Sequence, residues 1–478
     1  MPKHLLKKAN AVKMLFKIKA FIDLFWLSLR GTEQNFTSGN VNRATFLLAI
    51  PTMLELALES LFVIVDLLFV SSLGEKAITI VGINNTVLIL MQSIATGLSI
   101  AAIAMISRRI GQQKPSEAAL IAIQIIFIGL LIGGTCSVIT SLFSEEIIRF
   151  SGASVQLAAY GWLYTKITFA GAFLVIMRII LNGIFRGAGD PSRAMRALLI
   201  ANALNLILCA LLIYGFGPIP AFGIIGVGIA MIVSNTVVIG YQIWHLLFNN
   251  KRFTITKQQF QIVPALIRQI LKLGSAGTMQ FLIPSSSRFL MIIIVAKLGE
   301  STLAGYILAN RIIMFTVLPA WGIANAAAVL TGQNLGASQP ERAEESVWKT
   351  GRANLYYLGL MAIFLFFYGN HLATIFTKDP VVLNNTYTYL KYMAVAYFFF
   401  GYTMVISRSL NASGAVNTVT LLNVLMFYIV QLPLAYLLAI KLDLKSTGIF
   451  IAITISEIVL ATACVLVFKK GTWKKIKI

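Results

Sequence analysis

The sequence predicts an all-α polytopic membrane protein, with twelve transmembrane helices in two pseudo-symmetric six-helix lobes. Three observations predict it. Of 478 residues 58% are hydrophobic and only 12% charged, so long stretches carry no charge at all. Apolar runs of about 20 residues or more, enough to cross a bilayer, recur from one end to the other. The chain also repeats itself: "SSLGEKA" and "AKLGEST" place Leu73, Gly74 and Glu75 225 residues before Leu298, Gly299 and Glu300.

The spans are expected at 44–72, 77–106, 117–143, 157–186, 192–216, 222–248, 266–297, 303–332, 346–376, 384–411, 416–440 and 447–469. Those longer than a bilayer requires must tilt or bend, and Pro51, Pro284, Pro319 and Pro433 are the expected bend points. Residues 1–43 mix lysines with aromatic and aliphatic side chains, the pattern of a basic interfacial segment lying on the membrane surface. Lysines interrupt its apolar stretch and no small-residue cleavage site follows, which argues against a signal peptide. The expected organisation is therefore a basic N-terminal segment (1–43), a first lobe (44–248), a linker (249–265), a second lobe (266–469) and a basic tail (470–478).

Lysine and arginine fix the expected orientation, because basic loops resist translocation. The N-terminal segment, the turns with Arg108, Arg109, Lys114, Arg193 and Arg196, the 251–272 loop, the segment with Arg342 and Arg352, and the tail "FKKGTWKKIKI" fall on one side. That side is expected to be the cytoplasm, with both termini there and the protein in the inner membrane. The formal net charge of +22 is spread over short turns with no aromatic platform between them. This favours contact with anionic lipid over nucleic acid. Cys136, Cys209 and Cys464 lie singly in apolar runs and read as packing residues; no metal site or cofactor is expected.

The repeat continues beyond its first match. The offset of 225 also pairs Asn85 with Asn310, Gly111 with Gly336, Pro115 with Pro340, Ala118 with Ala343 and Gly189 with Gly414, and an offset of 222 pairs Gly226, Ala230 and Ser234 with Gly448, Ala452 and Ser456. A register held over four spans implies two halves of parallel topology, related by an axis along the membrane normal. Such halves enclose a central cavity, which is the architecture of a transporter.

The first span, "PTMLELALESLFVIVD", holds Glu55, Glu59 and Asp66. At about 100° per residue, Glu59 lies about 40° and Asp66 about 20° around the helix from Glu55, so the three share one face. An acid at the centre of a span costs about 2.5–3.5 kcal/mol on insertion scales, so that face must look into the protein. Glu55 is near enough to the basic side that an interfacial position is an alternative.

Several stretches resemble the multidrug and toxic compound extrusion (MATE) family: "PTMLELALESLFVIVDLLFVSSLG", "NGIFRGAGDPSRAM", "ALNLIL", "GIIGVGIAMIVS" and "TGQNLGASQPERAEES". The resemblance covers nearly all of residues 40–469. It implies a monomeric exporter of small amphipathic, often cationic, molecules in exchange for inward protons or sodium. Asp66 matches the family's first-helix aspartate, a coupling site, and Pro51 the point where that helix bends. The match is incomplete: where many members have Asn and Asp four residues apart in the fifth span, this chain has Asn205 and Cys209. Acids found elsewhere in the seventh and tenth spans are absent, and Arg288 and Arg408 occur there instead. Sodium at Asp66 and Asn205 would find only part of the oxygen shell it needs, so the expectation leans to protons.

Arg178 lies four residues before Asn182 in the fourth span and requires a counter-ion; Glu59 or Asp66 is the expected partner, in a fixed or a switching pair. Arg186, one turn further, is expected at the span's end. Gln92, Gln280, Ser286, Arg288, Tyr397 and Arg408 are candidates for the wall of a substrate cavity, the polar ones alternatively as bridges between helices. Two other readings compete. A flippase or exporter of an anionic lipid-linked saccharide, or of a dedicated metabolite, suits the arginines. An enzyme finds no support, because HExxH, GxSxG and phosphate-loop motifs are missing.

Overall fold

The computed structural model describes residues 18–31, 35–249 and 252–478. Residues 1–17, much of the expected interfacial segment, lie outside the described residues, as does Lys251 of the basic loop. Helix α1 covers 18–30. Twelve spans follow, each long and apolar enough to cross a membrane. The first six comprise α2 (Val41–Ser71), α3 (Glu75–Gly111), α4 (Pro115–Leu142), a span split at Gly171 into α6 (Val155–Ala170) and α7 (Ala172–Gly187), α8 (Pro191–Tyr214) and α9 (Ile224–Phe248), with a short α5 (Ser144–Phe150) after α4. The second six are α10 (Pro264–Ala296), α11 (Glu300–Gly336), α12 (Pro340–Thr374), α13 (Pro380–Ser413), the Val416–Lys441 span and α16 (Lys445–Lys469).

Local chemistry sets where these helices begin. Asn40 accepts hydrogen bonds from the backbone N–H of Asn42 and Arg43 and so caps α2; Asp379 does the same for α13 through Val381 and Val382. Five helices (α4, α8, α10, α12 and α13) open with proline, whose missing N–H costs nothing in the first turn. Pro51, Pro284 and Pro319 sit inside unbroken α2, α10 and α11. Pro433 differs. It stands near the start of α15 (Leu432–Tyr436), which wider π-helical turns at Leu425–Gln431 separate from α14 (Val416–Val424), an arrangement that accommodates a ring without an N–H.

The two sets of six spans meet along α2 and α3 on one side and α10 and α11 on the other. Every residue from Gly97 to Arg108 of α3 and from Gly322 to Gly336 of α11 is buried. Missing side chains permit this. A Cβ at Gly97 would strike the Gly274 carbonyl and Thr278, and one at Gly322 the Met53 backbone; one at Gly111 would strike the Gln333 carbonyl, and one at Gly336 the Arg108 carbonyl. The repeat offset carries each of these contacts onto another: Gly97 onto Gly322 with Thr278 onto Met53, and Gly111 onto Gly336 with Gln333 onto Arg108. The pseudo-two-fold axis therefore runs through this contact. Nearer its start α3 buries only residues such as Ala77, Ile80, Asn84, Leu88 and Met91, the spacing of a helix packed on one side. The halves are closed at the end where the basic turns lie and part toward the other.

The segment before α2 and the tail after α16 both bind across the closed end. Phe36 is buried in one hydrophobic cluster with Ile103 of α3 and Val329 and Leu330 of α11. On either side of it, Arg196 of α8 donates to the Arg30 carbonyl and Arg342 of α12 to the Gly39 carbonyl, each at 3.0 Å. In the tail, Trp473 is buried and stacks on Phe468, and Lys474 pairs with Glu344 of α12 at 2.6 Å. Arg108 of α3 donates to the carbonyl of Ile476, two residues beyond Lys474, at 2.8 Å.

Gly111→Ala should therefore destabilise the protein by ~1–3 kcal/mol, the scale of an overpacked contact. Gly82, in the same helix with open space where its Cβ would stand, is the control: Gly82→Ala should stabilise by up to ~1 kcal/mol through helix propensity. Thermal denaturation of the purified variants measures both, and equal midpoints would contradict the close approach.

Candidate functional site

Glu55 anchors a polar network inside the first half. It is 2% exposed, and its Oε1 accepts hydrogen bonds from Arg186 Nη2 at 2.8 Å and Asn182 Nδ2 at 2.9 Å. Asn182 and Arg186 stand four residues apart on α7 and so present to the same turn of α2. Gln242 of α9 completes the chain by donating to Asn182 Oδ1 at 2.6 Å. The interfacial alternative for Glu55 is thus replaced by burial in an ion pair.

The arginine pairing differs from the sequence expectation. Arg178 turns to α9, where its Nε donates to Asn235 Oδ1 at 3.0 Å, while Arg186, expected at the span's end, takes the carboxylate. Spacing along α7 shows that Arg178, Asn182 and Arg186 share a face. It does not show which of their turns stands level with Glu55. Glu59 is exposed, and a charged carboxylate in a span avoids lipid, so it opens toward the space between the halves.

The network has an uncharged counterpart in the second half. The offset of 225 carries Glu55 onto Gln280 and Arg186 onto Asn411. Gln280 Nε2 donates to Asn411 Oδ1 at 2.9 Å, and Asn411 Nδ2 returns the bond to Gln280 Oε1 at 2.8 Å. Asn182 maps onto Ser407 and, at offset 222, Gln242 maps onto Cys464; the hydroxyl and thiol lie 3.7 Å apart. Sequence reading missed Asn411, which the repeat offset would have found. Gln280, considered for the cavity wall, is a bridge between α10 and α13.

Asp66 occupies a separate polar pocket, half-buried on α2 and close enough to the Tyr164 phenol and the Cys209 thiol to interact electrostatically with both. Cys209 donates to Asn205 Oδ1 at 3.3 Å, Asn205 Nδ2 to Ser234 Oγ at 3.5 Å, and Thr165 Oγ1 to Asn84 Oδ1 at 3.0 Å. One carboxyl among neutral groups can take up and release a proton. As a sodium site the pocket has a single carboxyl, and Cys209 presents sulfur, a poor ligand for a hard cation, beside the Asn205 carbonyl oxygen. Among the described residues no cluster of three or more His, Cys, Asp or Glu side chains is placed to hold a metal ion.

The remaining candidates scatter. Tyr397 is fully buried and shares a 2.6 Å hydrogen bond with Thr316, so it is core and not cavity wall. Ser286 is exposed and bonded to the Tyr428 hydroxyl at 2.6 Å, Gln92 is half-buried and Arg288 exposed. The Arg408 guanidinium lies over the Trp321 ring, 4.5 Å from its centroid.

The family model MatE matches residues 51–211 and again residues 278–437, so the two halves are recognised separately. A Bacillus subtilis (strain 168) protein named probable multidrug resistance protein YpnP is 25% identical over 448 residues, 93% of this chain and 98% of its own length. A Shewanella oneidensis protein named FAD transporter is 23% identical, over 89% of this chain and 94% of its own. Among solved structures, one titled as the outward-facing conformation of a MATE family transporter superposes with a TM-score of 0.85 at 24% identity, covering 92% of this chain and 98% of that one.

Breaking the Glu55–Arg186 pair from one side leaves a buried charge alone, so Arg186→Gln should cost about 3–5 kcal/mol. Glu55→Gln with Arg186→Gln should recover at least ~1 kcal/mol of that. In contrast, Arg178→Ala and Glu59→Gln should add within ~0.5 kcal/mol, the behaviour of groups that do not touch. Two chemical-denaturation cycles decide the matter, and additivity at Glu55 and Arg186 would refute the pair.

Proposed function

The chain belongs to the MatE family of transporters, and from that premise we propose that it is a secondary active exporter of amphipathic organic compounds, cationic ones among them, driven by inward protons. It acts in the cell membrane with both termini in the cytoplasm. The observation that carries proton coupling is the Asp66 pocket: a single carboxyl beside a phenol, a thiol and two amides, with sulfur where a second carboxylate would help hold a bare cation, yet sufficient to exchange a proton. The closed basic end and the separated opposite end support alternating access, with the halves rocking about the glycine-lined contact. The ordinary names of the relatives support export of small molecules.

Coupling requires that Asp66 feel the position of the halves. The α2 helix supplies the mechanical link, since it carries Asp66 and Glu55 and also packs against α11 of the second half through Met53 and Gly322. A shift of α2 at that contact alters what surrounds the carboxyl, and by linkage its protonation alters the preference of α2. The Glu55 pair ties this same turn of α2 to α7, so the two contacts act on the helix together.

Asp66→Asn should reduce efflux of a cationic dye at least tenfold with membrane protein levels unchanged, and collapse of the proton gradient should reduce wild-type efflux equally. Dye efflux from cells, with the gradient intact and collapsed, measures both. Export by Asp66→Asn at the wild-type rate would remove Asp66 from the cycle, and efflux that survives collapse but stops without sodium would reverse the choice of ion.

A further inference from the structure

Arg408 is a cation that neither the Glu55 network nor the Asp66 pocket employs. It belongs to α13 of the second half and is half-buried. Its guanidinium lies against the Trp321 face and makes no hydrogen bond or ion pair among the described residues. Nearby stands a second guanidinium, Arg186 of the first half, close enough to repel it, whose carboxylate partner Glu55 is already bonded to Arg186 and Asn182. Two like charges from opposite halves thus lie within electrostatic reach of one another, and the acid nearby is bonded to Arg186 alone of the two. The Arg408 guanidinium nitrogens are open to the space beside them and have no partner among the described residues, so they can meet a guest.

Its position is where a guest would reach. Trp321 immediately precedes Gly322, the residue at which α11 becomes buried continuously against α2. The pair therefore lies where the halves stop touching, at the floor of the space between them. Glu59, one turn beyond Glu55 on α2, is exposed, and a carboxylate that avoids lipid requires this space to extend to within a turn of the site. An indole face offers a flat surface for stacking, and a guanidinium beside it offers a planar fork that fits a carboxylate or phosphate bidentately.

We propose that Arg408 and Trp321 form a substrate subsite for an anionic group, carboxylate or phosphate, attached to an aromatic ring, with Arg186 adding to the field from the opposite half. The inference rests on the exporter reading and narrows it: the transported amphipaths include aromatic acids and zwitterions as well as simple cations. Charge contributed by both halves also makes the subsite dependent on their closure, because parting the halves at this end separates the two guanidinium groups and weakens the hold on an anion.

Two dyes with the same xanthene ring test this. Rhodamine 110 is a free carboxylic acid, and rhodamine 123 is its methyl ester. Fluorescence anisotropy with purified protein in nanodiscs, without any ion gradient, should give roughly tenfold tighter binding of rhodamine 110 by the wild type. Arg408→Gln should abolish the preference while leaving rhodamine 123 affinity within twofold. Arg408→Lys should keep part of the preference, and Trp321→Leu should weaken both dyes alike. Equal wild-type affinities, binding of neither dye, or a loss that Arg408→Gln imposes on both would overturn the subsite. A preference intact in Arg408→Gln, with coupled efflux lost, would assign Arg408 to the ion cycle. Selective binding by a protein that shows no proton-coupled efflux would instead sink the coupling and leave the subsite standing.

Discussion

The cost of a charge in hydrocarbon governs this molecule. A carboxylate or guanidinium that faces lipid loses several kcal/mol of hydration that no other contact there restores. Each charged residue in a span must find a partner, a polar pocket or the space between the halves. Glu55 and Arg186 find each other; Asp66 finds a phenol, a thiol and amides; Arg178 finds Asn235; Arg408 finds only an aromatic face. These placements determine which helices must touch, and the lobes are built around them.

The repeat makes the two halves alike in backbone and unlike in charge. At the same position, the first half has a carboxylate and a guanidinium, and the second has two amides that exchange hydrogen bonds. Both arrangements satisfy buried polar atoms. Only the ionic one responds strongly when its surroundings change, since a charge–charge interaction strengthens as water is excluded while an amide pair changes little. Of these two equivalent positions the one in the first half is therefore the electrostatically sensitive one, and that half also holds Asp66.

Closure at the basic end depends on glycine for the same steric reason in both halves: the partner helix's backbone occupies the place of a Cβ. Contact this close leaves few intermediate arrangements, because packed surfaces favour discrete states over continuous deformation. The terminal segments reinforce the closed arrangement. Phe36 fills the seam, while Arg108 reaches from the first half to the Ile476 carbonyl of a tail whose Trp473 is set in the core of the second.

Much of this was legible in the sequence. Apolar run length determined the twelve spans, because backbone groups in lipid must be satisfied within a helix; the 225-residue register determined the two related halves; and periodicity put Glu55, Glu59 and Asp66 on one face of α2. Tertiary structure alone decided which partner each charge takes. Periodicity gives the direction of a side chain around its own axis. It carries no information on the height of one helix relative to its neighbour, and a displacement of about two turns, roughly 12 Å at 1.5 Å per residue, exchanges Arg178 for Arg186 as the partner of Glu55. For the same reason Tyr397, drawn from an aromatic run that faces several ways, proved to be core, and Arg408 was recognisable as a charge but not as one left beside Trp321.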